Sequence, residues 1–271
     1  MPNHKIAPSP YPGCRIVTLT TDFGTQDWFV GVMKGVMLER EPTLRLIDIT
    51  HAIPAGDIRS GAFCLMNAWN HCPEGTVHLA VVDPGVGGAR RAIALQARGR
   101  FYVGPDNGLA SWAVRQCRGA RVHEITNLKL CRQPVSTTFH GRDIFAPVAA
   151  FLAGGGSMDS LGPASKLWVR LRWPSVRKAT RGSLGEVLHI DRFGNAITNL
   201  PANQADLNRC RLKVEGLREE LPLVRCYGDI PPGRAAAIAA STGLLEVAVN
   251  QGCASTDLGI RVGDRVRLWM V

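Results

Sequence analysis

Three short apolar runs near the start of the chain each break off into a polar turn, and helical repeats separate them. Residues 15–20 alternate like a buried strand and end at Thr21-Asp22. Residues 44–49 end around Asp48, Thr50 and His51, and residues 76–82 run into Asp83-Pro84-Gly85. Between the first two, Trp28, Phe29, Val32, Met33, Val36 and Met37 recur at helical spacing. A second helix fits residues 57–70, with Ile58, Ala62, Leu65, Met66 and Trp69 on one side. Further strands fit residues 92–96 and 101–103. A third helix fits 143–152, with Pro147 in its first turn, where proline does least harm. This β-α-β-α-β order implies an α/β domain with a largely parallel sheet and flanking helices. Ligands of such sheets sit beyond the carboxyl ends of the strands. Asp22, Asp48, His51, Asp83 and Asp106 all fall there.

After a Gly-, Pro-, Ser- and Arg-rich stretch at 154–182 the pattern changes. Short strands fit residues 184–190, 211–214, 221–226, 235–240, 244–249 and 265–269, with turns at 229–233 and 262–264. That spacing predicts a smaller all-β, barrel-like C-terminal domain. The expected division is an α/β domain at 14–168, a linker at 169–182 and a barrel-like domain at 183–271.

The longest apolar stretch, 235–249, is interrupted by Ser241, Thr242 and Glu246, and falls short of the ~20 residues of a membrane helix. The polar, Pro-rich residues 1–13 offer no apolar core for a signal peptide. None of the eight cysteines forms a CxxC pair, so each reads as a small buried hydrophobe in a reduced, cytoplasmic protein. The net charge is +10, carried by dispersed residues of which 26 are Arg and 6 Lys. With aromatics at only 6%, no base-stacking platform is evident, so the charge reads as background rather than a nucleic-acid surface.

Several familiar motifs fail. Asp22-Phe23-Gly24 mimics a kinase motif but has no catalytic loop before it. Gly85-Val86-Gly87-Gly88 reaches Arg90 where a dinucleotide fingerprint needs Gly. Asp48, His51 and Asp143 could suggest a metal hydrolase, but capping and turn pairing explain them, so no metal ligand is assigned. A denser set remains: Thr21-Asp22-Phe23-Gly24; Val81-Val82-Asp83-Pro84-Gly85-Val86-Gly87 followed by Arg90-Arg91; Pro105-Asp106-Asn107-Gly108-Leu109; Thr138-Phe139-His140-Gly141-Arg142-Asp143; and Ile190-Asp191-Arg192-Phe193-Gly194-Asn195. Any one of these is explicable as a turn. Five together, most at strand ends of one sheet, point to function.

In this order the motifs resemble those of the S-adenosyl-L-methionine hydrolases (adenosine-forming), in the superfamily that also holds the fluorinase and chlorinase. The resemblance runs from about residue 16 to 271. It implies an Asp-Arg-His triad at Asp83, Arg90 and His140, and a ribose-diol contact at Asp22. It further implies Asp191 near the methionine amino group, Phe193 and Asn195 near adenine, Tyr227 packing on adenine, and Ser241 on the methionine carboxylate. It implies S-adenosyl-L-methionine as substrate with no cofactor, and a homotrimer whose sites lie between subunits. Gly88 stands where the family usually has Thr, and Thr242 and Val249 stand where halogenating relatives use Arg. Halogenating relatives lack the triad, so its presence favours water as nucleophile.

The chemistry suits these residue types. A sulfonium leaves as a neutral thioether, so no general acid is needed. The requirement is a water held in line with the C5′–S bond. Asp83 could orient it, with Arg90 fixing the carboxylate and His140 holding the other side. The alternatives are a halogenase or other nucleophile at C5′, a non-catalytic adenosyl-ligand-binding protein, and a basic nucleic-acid-binding protein.

Overall fold

A computed structural model describes residues 14–117, 119–206 and 209–271. Residues 1–13, expected above to lack a signal-peptide core, lie outside the described residues. The chain divides between Arg172 and Trp173 into two compact units.

The first unit runs β1 (Ile16–Thr21), α1 (Phe29–Arg40), β2 (Arg45–Thr50), α2 (Ile58–Trp69), β3 (Val77–Val81), β4 (Ala92–Ala97), β5 (Arg100–Pro105), β6 (Arg121–Glu124) and α3 (Ala146–Ala153). A π-helical turn, Gly141–Phe145, leads into α3. The sheet order is β2-β1-β3-β5-β4-β6, with β2, β1, β3 and β5 mutually parallel and β4 antiparallel to both its neighbours. The largely parallel α/β architecture read from the sequence is therefore what forms. Strand side chains alternate between faces. Val17, Leu19, Val77 and Leu79 join one core with α1 and α3. His78, from the alternate positions, stacks on Trp69 of α2. Asp57 caps α2 by accepting a hydrogen bond from the Ser60 amide at 3.0 Å.

Two local expectations need correction, and one strand was not expected. The buried stripe of α1 is Val30, Met33, Val36 and Met37, with Trp28 and Val32 outward. The three-residue spacing of 30, 33 and 36 sets the inward side, and Val32 falls on its margin. The helix expected at 143–152 starts earlier, as the wide turn from Gly141. β6 escapes a periodicity reading because it has only four residues, Arg-Val-His-Glu.

The second unit contains β7 (Arg177–Ala179), β8 (Gly182–Ile190), β9 (Ala196–Pro201), β10 (Cys210–Val214), β11 (Leu221–Val224), β12 (Ala235–Ala239), β13 (Leu244–Val249), the short α4 (Ala254–Asp257) and β14 (Arg265–Met270). Its order is β14-β10-β11-β12-β13-β9-β8-β7, and β14 also pairs with β8. That pairing closes seven strands into a barrel, with β7 appended to β8 and no open edge in the ring. The barrel-like reading is correct, and the interior is filled by Val187, Leu200, Leu212, Leu223, Val247 and Leu268 among others. The sequence reading missed β9. Thr198 and Asn199 interrupt its apolar pattern, yet both are buried. Thr198 donates to the Leu245 carbonyl, while Asn199 accepts from the Glu186 amide and donates to the Pro174 carbonyl. Satisfied polar groups of this kind are tolerated in a core.

Candidate active site

Parallel packing puts the carboxyl ends of β1, β3 and β5 on one edge of the first sheet. Asp22 and Asp106 follow the ends of β1 and β5 directly, and Asp83 lies two residues past β3. Asp106 is committed to structure, since it accepts from Arg91 at 2.6 Å and from the Val169 amide at 2.7 Å. Its neighbour Asn107 donates to the Val82 carbonyl at 2.8 Å. That bond braces the chain one residue before Asp83.

Asp83 is bound by Arg90 through two guanidinium nitrogens, with Nε donating at 3.0 and 2.8 Å to the two carboxylate oxygens. The side chains are only 5% and 11% exposed, so water screens this pair little. Arg90 Nη2 also lies 2.7 Å from His140 Nδ1, and its guanidinium sits over the Phe145 ring. The three residues inferred as a triad are thus brought together. Arginine only donates, so His140 Nδ1 must accept. The neutral ring then carries its proton on Nε2. Burial and the Arg90 charge lower the His140 pKa against the opposing pull of Asp83 and Asp143, which keeps that neutral form.

Two devices aim these groups. Gly87 has a φ of +75°, and a Cβ there would meet the Thr137 carbonyl at 2.2 Å. Only glycine lets the loop after Asp83 approach the segment carrying His140 so closely. On that segment the fully buried Asp143 accepts from Arg142 and from the Ser136 amide. Burial alone would raise the Asp143 pKa, but these hydrogen bonds, with the Arg142 and Arg132 charges, hold it below the usual carboxylate value. Asp143 therefore fixes the loop rather than reacting. Asp48 and His51 are likewise engaged, by Lys34 at 2.6 Å and Thr21 at 2.8 Å.

Beside the triad is a hollow of about 160 Å³, walled by Phe23, Phe29 and Phe139 and reached by Asp83 and His140. The three rings lie 5.2–6.0 Å apart, with Phe29 and Phe139 edge to face. Asp22 shares a shallower depression with Asp83 and Gly56, and its carboxylate accepts from the Gly56 amide at 2.8 Å. Sequence reasoning assigned no role to this aromatic wall. Phe23 and Phe139 lie inside the motifs already singled out, which was the available signal.

In the second unit, Asp191, Asn195 and Tyr227 come together. The Asp191 carboxylate accepts from the Phe193 and Asn195 amides, both at 2.9 Å, closing the turn between β8 and β9. Asn195 Nδ2 lies 3.3 Å from Asp191 Oδ2 and 3.4 Å from the Tyr227 hydroxyl, which donates in turn to Glu246. Glu246 was not foreseen, because it sits in an otherwise apolar strand. Phe193 and Tyr227 are exposed, at 76% and 49%. Ser241 lies on the exposed turn between β12 and β13, and no hydrogen bond joins it to this cluster among the described residues.

Both units match known protein families. Residues 17–162 match the SAM hydroxide adenosyltransferase N-terminal domain, and residues 185–267 match the SAM hydroxide adenosyltransferase C-terminal domain. An (R)-S-adenosyl-L-methionine hydrolase of Salinispora tropica is 45% identical, over 97% of this chain and 99% of its own length. One from Thermus thermophilus is 44% identical, over 94% and 99%. The crystal structure of an uncharacterized conserved protein from Thermotoga maritima superposes with a TM-score of 0.89 at 34% identity, covering 94% of this chain and 99% of that one. The chain belongs to the SAM hydroxide adenosyltransferase family.

Proposed function

We propose that this chain is an enzyme that hydrolyses S-adenosyl-L-methionine to adenosine and L-methionine, by in-line attack of water on C5′ of the ribose. The observation that carries the reading is the half-buried Asp83–Arg90–His140 cluster at the strand ends, opening onto an aromatic-walled hollow. The leaving group is a neutral thioether, so the reaction calls for no cofactor and no general acid. It calls for an oriented water in a site that excludes other solvent, and a carboxylate beside three phenyl rings suits that task.

His140 cannot take the water's proton at Nδ1 while Arg90 donates there, so its role is to donate from Nε2. Asp83 is then the proton acceptor left in the cluster. Its charge also attracts the sulfonium, by at most roughly 3 kcal/mol at about 5 Å and an effective dielectric of ~20, a pull that the paired Arg90 charge reduces. That attraction fades as the sulfonium is neutralised, so it aids binding, and positioning carries the rate. A carboxylate also accepts hydrogen bonds and offers none to a halide, which disfavours the halogenase alternative.

Substrate contacts belong to the same proposal. Asp22 holds the ribose diol, Asp191 the methionine amino group, Phe193, Asn195 and Tyr227 the adenine, and Ser241 the methionine carboxylate. The triad and the adenine contacts lie in different units. A homotrimer that completes each site between subunits is part of this reading, and it rests on the resemblance and on that separation. A cytoplasmic setting also belongs here, supported by the eight free cysteines. Among the described residues no helix is long and apolar enough to cross a membrane.

The test is incubation with the sulfonium substrate in heavy-oxygen water. Label should appear in the 5′-hydroxyl of adenosine. Unlabelled adenosine, or S-adenosylhomocysteine as product, would overturn the mechanism, and binding without turnover would leave a sensor.

A further inference from the structure

We propose that Glu246 is a positioning residue that sets the direction of a hydrogen-bond chain through Tyr227 to Asn195, so that Asn195 offers its carbonyl oxygen to a 6-aminopurine and not to a 6-oxopurine. The proposal rests on the reading that the substrate carries an adenosyl group, and it adds a device that selects the base.

The chain has a polar order that its ends dictate. Glu246, on β13 opposite Ile197 of β9, is 5% exposed, and its carboxylate only accepts. The Tyr227 hydroxyl must therefore donate to it. Having given its one proton to Glu246, that oxygen can only accept from Asn195. Asp191 imposes the same choice from the other side, because its Oδ2 also accepts from Asn195. Both neighbours thus require the amide nitrogen, and the Asn195 Oδ1 is left over. Among the described residues, no hydrogen bond to that oxygen is found. Asn195 is itself 5% exposed, so its amide is held rather than free to turn over. Phe193, two residues before it, and Tyr227, whose hydroxyl its amide reaches, both expose their rings, which suits a planar base.

An unpaired acceptor discriminates strongly between a donor and another acceptor. The exocyclic amino group of adenine donates to Oδ1. The 6-oxo group of hypoxanthine presents a lone pair to it and leaves both groups unsatisfied. Breaking the chain at Glu246 should weaken that preference, with Asp191 alone left to hold the amide nitrogen. In Glu246→Gln the new amide can donate to Tyr227, freeing the phenol proton to point at Asn195.

The experiment uses the full-length protein, with adenosine and inosine as calorimetric probes and S-adenosyl-L-methionine as substrate. Wild type should prefer adenosine by about tenfold or more, the scale of one or more well-placed hydrogen bonds. Glu246→Gln should cut that ratio by about fivefold to tenfold, and KM should rise more than kcat falls. Tyr227→Phe, at a half-exposed side chain, removes the relay and should cut the ratio similarly. In the double variant the two effects should not add, as expected for members of one network. A ratio unchanged in Tyr227→Phe overturns the proposal, and so does equal weakening toward both nucleosides in Glu246→Gln. Should Glu246→Gln fail to fold, Tyr227→Phe alone decides. If wild type hydrolyses the sulfonium while these ratios stay fixed, only this proposal falls. If wild type binds neither nucleoside and releases no adenosine, the functional reading falls with it.

Discussion

The two units organise their polar groups in opposite ways. In the first, charges of opposite sign are paired under cover, at 5% and 11% exposure, and aromatic rings wall the space beside them. In the second, a chain of mostly uncharged groups runs from a buried carboxylate to an exposed turn, with two rings left open to solvent. A buried ion pair is costly to assemble and is disrupted strongly when one partner is removed. A hydrogen-bond chain that ends on a carboxylate mainly fixes orientation. The first arrangement suits holding a reacting water, and the second suits recognising a planar base. The contrast separates into turnover and affinity, which can be measured apart.

The largest expected effect follows directly. Asp83→Asn keeps the shape and removes the charge, Arg90→Ala frees the carboxylate, and His140→Ala removes the third member. Each should lower kcat by about 100-fold or more, the usual scale for lost positioning or base groups, with KM moving much less and circular dichroism staying native. Asn195→Ala should do the reverse, raising KM by about tenfold with a smaller change in kcat. Steady-state kinetics on the four variants checks this. Near-wild-type kcat in all three triad variants would dissolve the distinction between the units.

Next in size is a test of whether the two kinds of site belong to one chain. Asp83→Ala and Asn195→Ala proteins should each be weak at low substrate. Refolded together, they should regain activity if a site takes its triad from one subunit and its adenine contacts from another. In an equal mixture about a quarter of such sites pair two intact halves, because subunits assemble at random around the symmetry axis. Recovery should track the mixing ratio. No recovery in verified mixed oligomers, or a monomer in light scattering, would place the whole site within one chain.

What the sequence reveals follows the same division. Turns carrying Asp, Gly and Pro at the ends of apolar runs announce the parallel sheet and place Asp22 and Asp83 at its strand ends, because strand period and turn chemistry are local signals, while the grouping with His140 comes from the resemblance of the motifs. The barrel strand β9 is silent, since Thr198 and Asn199 are buried polar residues whose partners lie far along the chain. Glu246 is silent for the same reason: its meaning depends on Tyr227, nineteen positions away. The aromatic wall is half legible, with Phe23 and Phe139 inside motifs and Phe29 hidden in a helix that periodicity accounts for by packing alone. Charged pairs close in sequence, such as Asp83 and Arg90, are easier to read than a network assembled across strands.

The smallest effect on activity, and the sharpest on stability, is the response of each unit to acid. His78 is fully buried against Trp69 and accepts or donates at Thr18, and burial pushes its pKa down to about 4, with Arg100 adding to the fall. Unfolded histidine titrates near 6.5, so between those values the unfolded state binds more protons. Stability therefore falls with acid across that window, by about 3 kcal/mol at its lower end. His140 shifts in the same direction and adds to the effect. In the barrel the sign is opposite. Burial raises the Glu246 pKa, with Asp191 adding and the Tyr227 hydrogen bond opposing. A carboxyl whose folded pKa is raised gives stability that is present in acid and lost as pH rises through that pKa. Moving from pH 7 toward 5 should thus loosen residues 14–172 while sparing the barrel. Hydrogen exchange read by mass spectrometry, corrected for the intrinsic pH dependence of exchange, should show protection falling in peptides of the first unit only. His78→Gln should flatten that loss. Equal loss in both units, or an unchanged slope in His78→Gln, would mean that acid acts on something the two units share.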